Sequence, residues 1–223
     1  FIHAGADLET EVKVRWVYSG DIENANVAET FAGIDGMLIA PGFGDRGIEG
    51  KIEAAKYARE NNIPLLGICL GMQMAVIEFA RNVLGYENAN STEMNDNTPH
   101  PVITFMEEQK TITDKGGTMR LGGWDCEIKE GTKAFDIYQN TMINERHRHR
   151  YEFNNYYTEA FEKAGMVLSG VNPETKLVEI IELPNHPFFV AAQYHPEYKS
   201  TVANPHPLFS AFVKAAVEKK VNV

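Results

Sequence analysis

Residues 64–73 read PLLGICLGMQ, an apolar run that stops on a cysteine held between two glycines. Residues 64–69 have the length and composition of a strand buried on both faces. Directly after them, GMQMAVIEFARNVLG (71–85) has helical length, is apolar on most of its circumference and stops at Gly85. A strand that becomes a helix within two residues must turn sharply. Gly67-Ile68-Cys69-Leu70-Gly71 is G-x-C-x-G, the nucleophile-elbow pattern with Cys in place of Ser. The turn strains its central residue, and small flanking residues relieve the crowding. It pushes the side chain out at the carboxyl edge of the sheet, where open α/β folds place ligands. The helix N-terminus behind the sulfur is expected to favour thiolate and lower the thiol pKa. The structural alternative is a small buried cysteine at a tight junction, and the glycine spacing argues against it.

Outward from this stretch, VKVRWVY (12–18) and GMLIAP (36–41) read as strands. GIEGKIEAAKYARENN (47–62) carries Ile48, Ile52, Ala55 and Ala58 or Arg59 at helical spacing and ends at Asn61-Asn62 before Pro64. Later, LVEIIEL (177–183) and FFVAAQY (188–194) read as strands with a hairpin-like connection, PNHP, between them. A last helix is expected from about Leu208 to Lys219. This alternation gives an α/β fold: a mostly parallel central sheet flanked by helices, with antiparallel strands added late.

Composition sets the class. With 43% apolar and 23% charged residues, the 223-residue chain has the make-up of a soluble globular protein, and no Ser/Gly/Pro-rich linker divides it. A net charge of −10 argues against a nucleic-acid partner, which would need a basic face. No run is long and apolar enough to suggest a membrane span, and FIHAGADLET lacks a signal-peptide pattern. Cys69 and Cys126 lie in unlike contexts and give no disulfide framework, so a reducing cytoplasm is the expected compartment. The absence of an initiator Met and an opening that looks like a helix end suggest a fragment.

A cysteine nucleophile needs a base and a group to orient that base. Of the seven histidines, His195 in AAQYHPEY follows an apolar strand, so its ring can emerge at the same sheet edge as Cys69. Glu197 stands two residues on, beyond Pro196, where a carboxylate can accept from the imidazole and set its tautomer. Taken alone, H-P-E is better read as a solvated surface pair; together with G-x-C-x-G it is a candidate triad.

GICLGMQ with YHPE resembles the class I (triad-type) glutamine amidotransferases. GFGDRGIEGKI, NSTEMN, GGTMRLG, ERHRHRYEFN and HPFFVAAQYHPE narrow the resemblance to the glutaminase domains of CTP synthases, in the right order over about residues 36 to 198. The resemblance implies a flavodoxin-like amidotransferase fold and cleavage of the L-glutamine side-chain amide to glutamate and ammonia. It further implies a synthetase domain of the same polypeptide that uses ATP and Mg²⁺ to aminate UTP, a homotetrameric full-length enzyme, and GTP as allosteric activator. That synthetase domain and the family's first strand are expected to be absent from the 223 residues, and no metal is expected in this domain.

On the same resemblance, Cys69 is the nucleophile, His195 the base and then the acid, and Glu197 the orienter. Gln73 falls at a glutamine-binding position, Glu93 accepts the substrate α-ammonium, and Arg150 with the Tyr151 backbone holds the α-carboxylate. A zwitterionic substrate needs one anion and one cation of fixed geometry, and Arg suits a carboxylate. The oxyanion hole departs from the family: Pro41 stands where many relatives have glycine, and proline has no N–H to donate. Stabilisation then rests on the amide of Leu70 and on Gly42 or Phe43. For GTP, the matching residues are Phe43, as a stacking ring, and Arg46. GGTMRLG (116–122) is expected to be a mobile flap whose Met119, Arg120 and Leu121 cover the site. Two other readings stay open: another amidotransferase or a γ-glutamyl hydrolase on this scaffold, and a catalytically silent scaffold domain.

Overall fold

The computed structural model describes residues 1–22, 26–105 and 119–221. The strands are β1 (Met37–Ile39), β2 (Leu65–Ile68), β3 (Ala89–Ser91), β4 (His100–Phe105), β5 (Arg120–Ile128), β6 (Met142–His149), β7 (Tyr151–Phe153), β8 (Val167–Val171), β9 (Val178–Glu182) and β10 (Phe189–Ala192). The helices are α1 (Ile2–Asp7), α2 (Ser19–Ile22), α3 (Val27–Thr30), α4 (Ile48–Glu60), α5 (Leu70–Asn82), α6 (Lys133–Tyr138), α7 (Thr158–Lys163) and α8 (Pro207–Val221).

Seven strands form one sheet in the order β1-β2-β10-β9-β8-β5-β6, and β3-β4-β7 form a second. The parallel part of the main sheet is β1-β2-β10. From β10 onward every join is antiparallel, so the late antiparallel strands extend further than the sequence indicated. Successive residues of β2 and β10 serve opposite cores. Leu65, Phe189 and Ala191 pack with Ile52, Ala55, Met72 and Ile77 beneath α4 and α5, whereas Leu66, Ile68, Val190 and Ala192 pack with Leu208, Phe212 and Val213 of α8. Strands covered on both faces favour apolar residues at every position, which is why these two read as unbroken hydrophobic runs. Helix α5 is buried at every residue from Leu70 to Ala80, because it lies between the main sheet and β3 and β4 of the small one.

The expected strand at residues 12–18 does not form. Among the described residues the segment pairs with no strand, the open edge of β1 included, and backbone outside a ladder leaves its amides to water. Val14, Trp16 and Tyr18 are exposed, and Arg15 fastens the segment to the carbonyls of Thr30 and Ala32 instead.

Candidate active site

The elbow's geometry follows from its two glycines. Cys69 has φ 53° and ψ −105°, a left-handed conformation that L-residues rarely adopt. A Cβ at Gly71 would lie 2.1 Å from the carbonyl oxygen of Ile39, and one at Gly67 would lie 2.8 Å from Cβ of Ala191. Neither position has room for a side chain, so strand β2 can run straight into α5 only with glycine at both. The Cys69 carbonyl accepts the first helical bonds, from Met72 and Gln73, and its amide donates to Ala192 at 2.7 Å.

That last bond sets the second half of the triad beside the first. β10 is the parallel neighbour of β2, with Ala192 opposite Ile68, so both chains leave the sheet at the same edge. Three residues further on, His195 donates its backbone N–H to Arg146 of β6, and its ring stacks on Tyr198. His195 Nδ1 and Glu197 Oε1 are 2.7 Å apart, while Nε2 is buried without a hydrogen-bond partner among the described residues. A carboxylate accepts from Nδ1–H and leaves Nε2 as the basic nitrogen.

Cys69 lines a cleft of about 280 Å³, counting its open mouth, with Gly42, Phe43, Gln73, Glu93, His149, Arg150 and Tyr151. The two sheets meet here: β6 ends at His149, β7 begins at Tyr151, and Arg150 joins them. Glu93 accepts from the Gly44 amide at 3.4 Å; burial raises its carboxyl pKa, and the Gly44 bond and the charge of Arg150 act against that rise. Arg46 is exposed and stands outside the cleft, as do Leu70 and the His195–Glu197 pair.

The expected low thiol pKa is not met. Burial pushes the Cys69 thiol up to about 12, and the carboxylates of Glu197, Glu152 and Glu93 act in the same direction against a hydrogen bond from the Leu70 amide. In the resting state desolvation outweighs the helix N-terminus, and the sulfur keeps its proton.

A strained cysteine at a strand–helix elbow and a histidine bound to a carboxylate thus leave the sheet at one edge. Residues 1–215 match the family description "Glutamine amidotransferase class-I". The chain belongs to the class I glutamine amidotransferases. Among solved structures, the amidotransferase resembles "Trypanosoma brucei CTPS - glutaminase domain with bound acivicin" at 39% identity and a TM-score of 0.91, over 97% of this chain and 85% of that one. A putative GMP synthase subunit from Thermoplasma acidophilum shares the fold at 17% identity and a TM-score of 0.63, over 98% and 87%. Among curated relatives, it is 66% identical to the CTP synthase of Flavobacterium johnsoniae and 55% identical to that of Bacillus subtilis, over 97% of this chain in each case. The chain spans about two fifths of the length of these relatives, 40% for both.

Three features of the amidotransferase lie outside the sequence reading. ERHRHR is not a uniformly solvated run: as strand β6 it alternates, with Glu145, His147 and His149 buried and Arg146 and Arg148 exposed. The period-2 signal was present in the sequence, hidden because every residue in it is polar. Behind the cleft, Arg120 lies 2.6 Å from Glu179 and 3.5 Å from Glu152, all buried, and His147 and His149 share a 2.7 Å hydrogen bond beside them. Arg120 therefore does not cover the site as part of a flap; its guanidinium is held inside by two carboxylates, and Leu121 is exposed. Residues 116–118 of that expected flap lie outside the described residues. Burial lowers both histidines, His149 to about 3, so the pair is neutral. Burial also raises both carboxyls, Glu179 to about 7, since one guanidinium serves two of them. Gln193, fully buried and 3.7 Å from the Cys69 sulfur through Nε2, was missed because an amide within an apolar run carries no motif.

Proposed function

We propose that this chain is the glutaminase domain of a CTP synthase and hydrolyses the side-chain amide of L-glutamine. The observation that carries the reading is one cleft lined at once by Cys69, Glu93 and Arg150. Those are a nucleophile for the amide carbon, an anion for the α-ammonium and a cation for the α-carboxylate. Because burial keeps the sulfur protonated, thiolate forms as His195 Nε2 takes the proton, and the attacking species is a thiolate–imidazolium pair held by Glu197. Sulfur adds to the carbonyl carbon of the side-chain amide and the oxyanion turns to the Leu70 amide and to Gly42, since Pro41 has no N–H. The imidazolium then protonates the leaving nitrogen, ammonia departs, and a γ-glutamyl thioester remains. Water deprotonated by His195 attacks the thioester, releases glutamate and restores the thiol.

The ammonia passes to a synthetase domain of the same polypeptide, where ATP and Mg²⁺ support amination of UTP to CTP. The share of the curated CTP synthases that the chain spans supports this division. The full-length enzyme is a cytoplasmic homotetramer in this reading; for the chain itself, no helix among the described residues is long and apolar enough to cross a membrane. GTP acts as activator on the loop of Phe43 and Arg46. Phe43 lines the cleft and is 56% exposed, and the Arg148 guanidinium lies 5.7 Å from its ring centroid, so an aromatic face and a cation stand together beside the cleft. The test uses the full-length protein. Cys69→Ala abolishes glutamine-dependent CTP formation and leaves synthesis from free ammonia intact, and acivicin labels Cys69, which lines the cleft, but not Cys126, which does not. Equal loss of both activities, or label on Cys126, overturns the reading.

A further inference from the structure

Gln193 has no side-chain freedom. It sits just beyond β10, two residues before His195, with its backbone N–H on the Glu179 carbonyl at 2.9 Å. Its Oε1 lies 3.2 Å from Gln73 Nε2, and that same nitrogen lies 2.9 Å from the backbone oxygen of Tyr151. A peptide oxygen only accepts, so Gln73 must present its NH₂ to Tyr151. That NH₂ in turn requires the oxygen of Gln193, which leaves the Gln193 NH₂ aimed at the Cys69 sulfur 3.7 Å away. Turning either amide over would oppose like groups in a site without exposure, and an unmade buried bond is costly.

We propose that Gln193 donates a hydrogen bond to the sulfur of Cys69, selectively stabilising the thiolate, and that the relay Tyr151 carbonyl–Gln73–Gln193 aims that donor. The charged surroundings of the sulfur make the donor useful. Glu197, Glu152 and Glu93 all oppose a negative sulfur, and Lys51 from α4, itself partly desolvated, is the cation that acts with it. A carboxamide adds a donor that never competes with His195 for the proton, because it has no titration of its own. The relay also joins the nucleophile to Gln73 and Tyr151, two residues of the cleft, so the sulfur and the ligand-facing wall are held as one unit.

The experiment measures the rate of Cys69 alkylation by iodoacetamide against pH in the full-length protein, with Cys126 as internal reference, alongside glutaminase kcat, KM and thermal melting. Only the kinetic arm rests on the glutaminase reading; alkylation reads the thiol directly, so an inactive wild type would overturn the function and leave this inference testable. Gln193→Leu keeps the volume and removes the donor. At a fixed neutral pH, where the buried thiol is mostly protonated, Cys69 alkylation slows about tenfold and kcat falls about tenfold, the loss for one hydrogen bond to a charged atom, while KM changes by less than about twofold. Gln193→Glu keeps the acceptor for Gln73 and slows Cys69 alkylation further. This second variant decides the matter should the leucine variant fail to fold. An unchanged Cys69 alkylation rate in a folded variant, or an effect confined to KM, overturns the proposal.

Discussion

Gly71→Ala tests the elbow without removing any polar group. The added methyl would stand 2.1 Å from the Ile39 carbonyl oxygen and 2.9 Å from its carbon, whereas real Cβ contacts essentially never fall below 3.0 Å. Relief therefore requires roughly 1 Å of relative movement between β1 and the first turn of α5. Both partners are backbone, so no side chain can swing away. Cys69 caps that helix and Leu70 supplies the amide at the sulfur, so both move with it. A displacement of about 1 Å at a reacting centre costs on the order of a hundredfold in rate, and overpacking a tight site costs about 1–3 kcal/mol of stability. The expected result is a melting temperature lowered by a few degrees, with kcat/KM for glutamine down about a hundredfold and Cys69 alkylation altered. Gly85→Ala separates the two effects. Gly85 has φ 74° with nothing within 4 Å of a Cβ, so alanine there loses about 1–2 kcal/mol to backbone strain and leaves turnover unchanged. Wild-type turnover and alkylation in a folded Gly71→Ala protein would refute the steric account of the motif.

Three further outcomes are expected. Arg59 grips fully buried Glu78 through bonds of 2.7–3.1 Å, so Arg59→Leu strands a carboxylate and destabilises by about 3 kcal/mol, read by denaturant unfolding. A wild-type midpoint would show that the α4–α5 pair contributes nothing. Glu152 and Glu179 have raised folded pKa values, so their stabilising contribution is complete below the unfolded value of 4.5 and is lost as pH rises through the folded ones, near 7 for Glu179. Glu152→Gln leaves Arg120 to Glu179 alone and should gain stability relative to the parent as pH rises from about 5 through 7. The lowered histidines His147 and His149 have the opposite slope but are common to both proteins, and thermal melts showing no pH-dependent difference would contradict the pairing. On the proposed function, Arg46→Ala in the full-length protein should reduce GTP activation of the glutaminase severalfold and leave ammonia-dependent CTP synthesis near normal; undiminished activation would remove Arg46 from the proposed nucleotide site.

The sequence by itself determined the elements whose cause is local. PLLGIC and FFVAA are apolar at every position because both faces are covered, and that needs no knowledge of which strands neighbour them. G-x-C-x-G announces its own steric reason, and H-P-E holds acceptor and imidazole within three residues. Tertiary structure decided whatever depends on a partner distant in the chain. Residues 12–18 have strand composition, yet a ladder needs a neighbour, and among the described residues none is beside them. Cys69 and His195 stand 126 residues apart in the chain and share a sheet edge only because β10 enters beside β2. The thiol pKa reversed its expected direction because helix polarity is written in local sequence while desolvation is summed over everything that packs around the sulfur. Gln193 follows the same logic: its orientation is fixed by a carbonyl on Tyr151 and an amide on Gln73, neither of them within 40 positions of it in the chain.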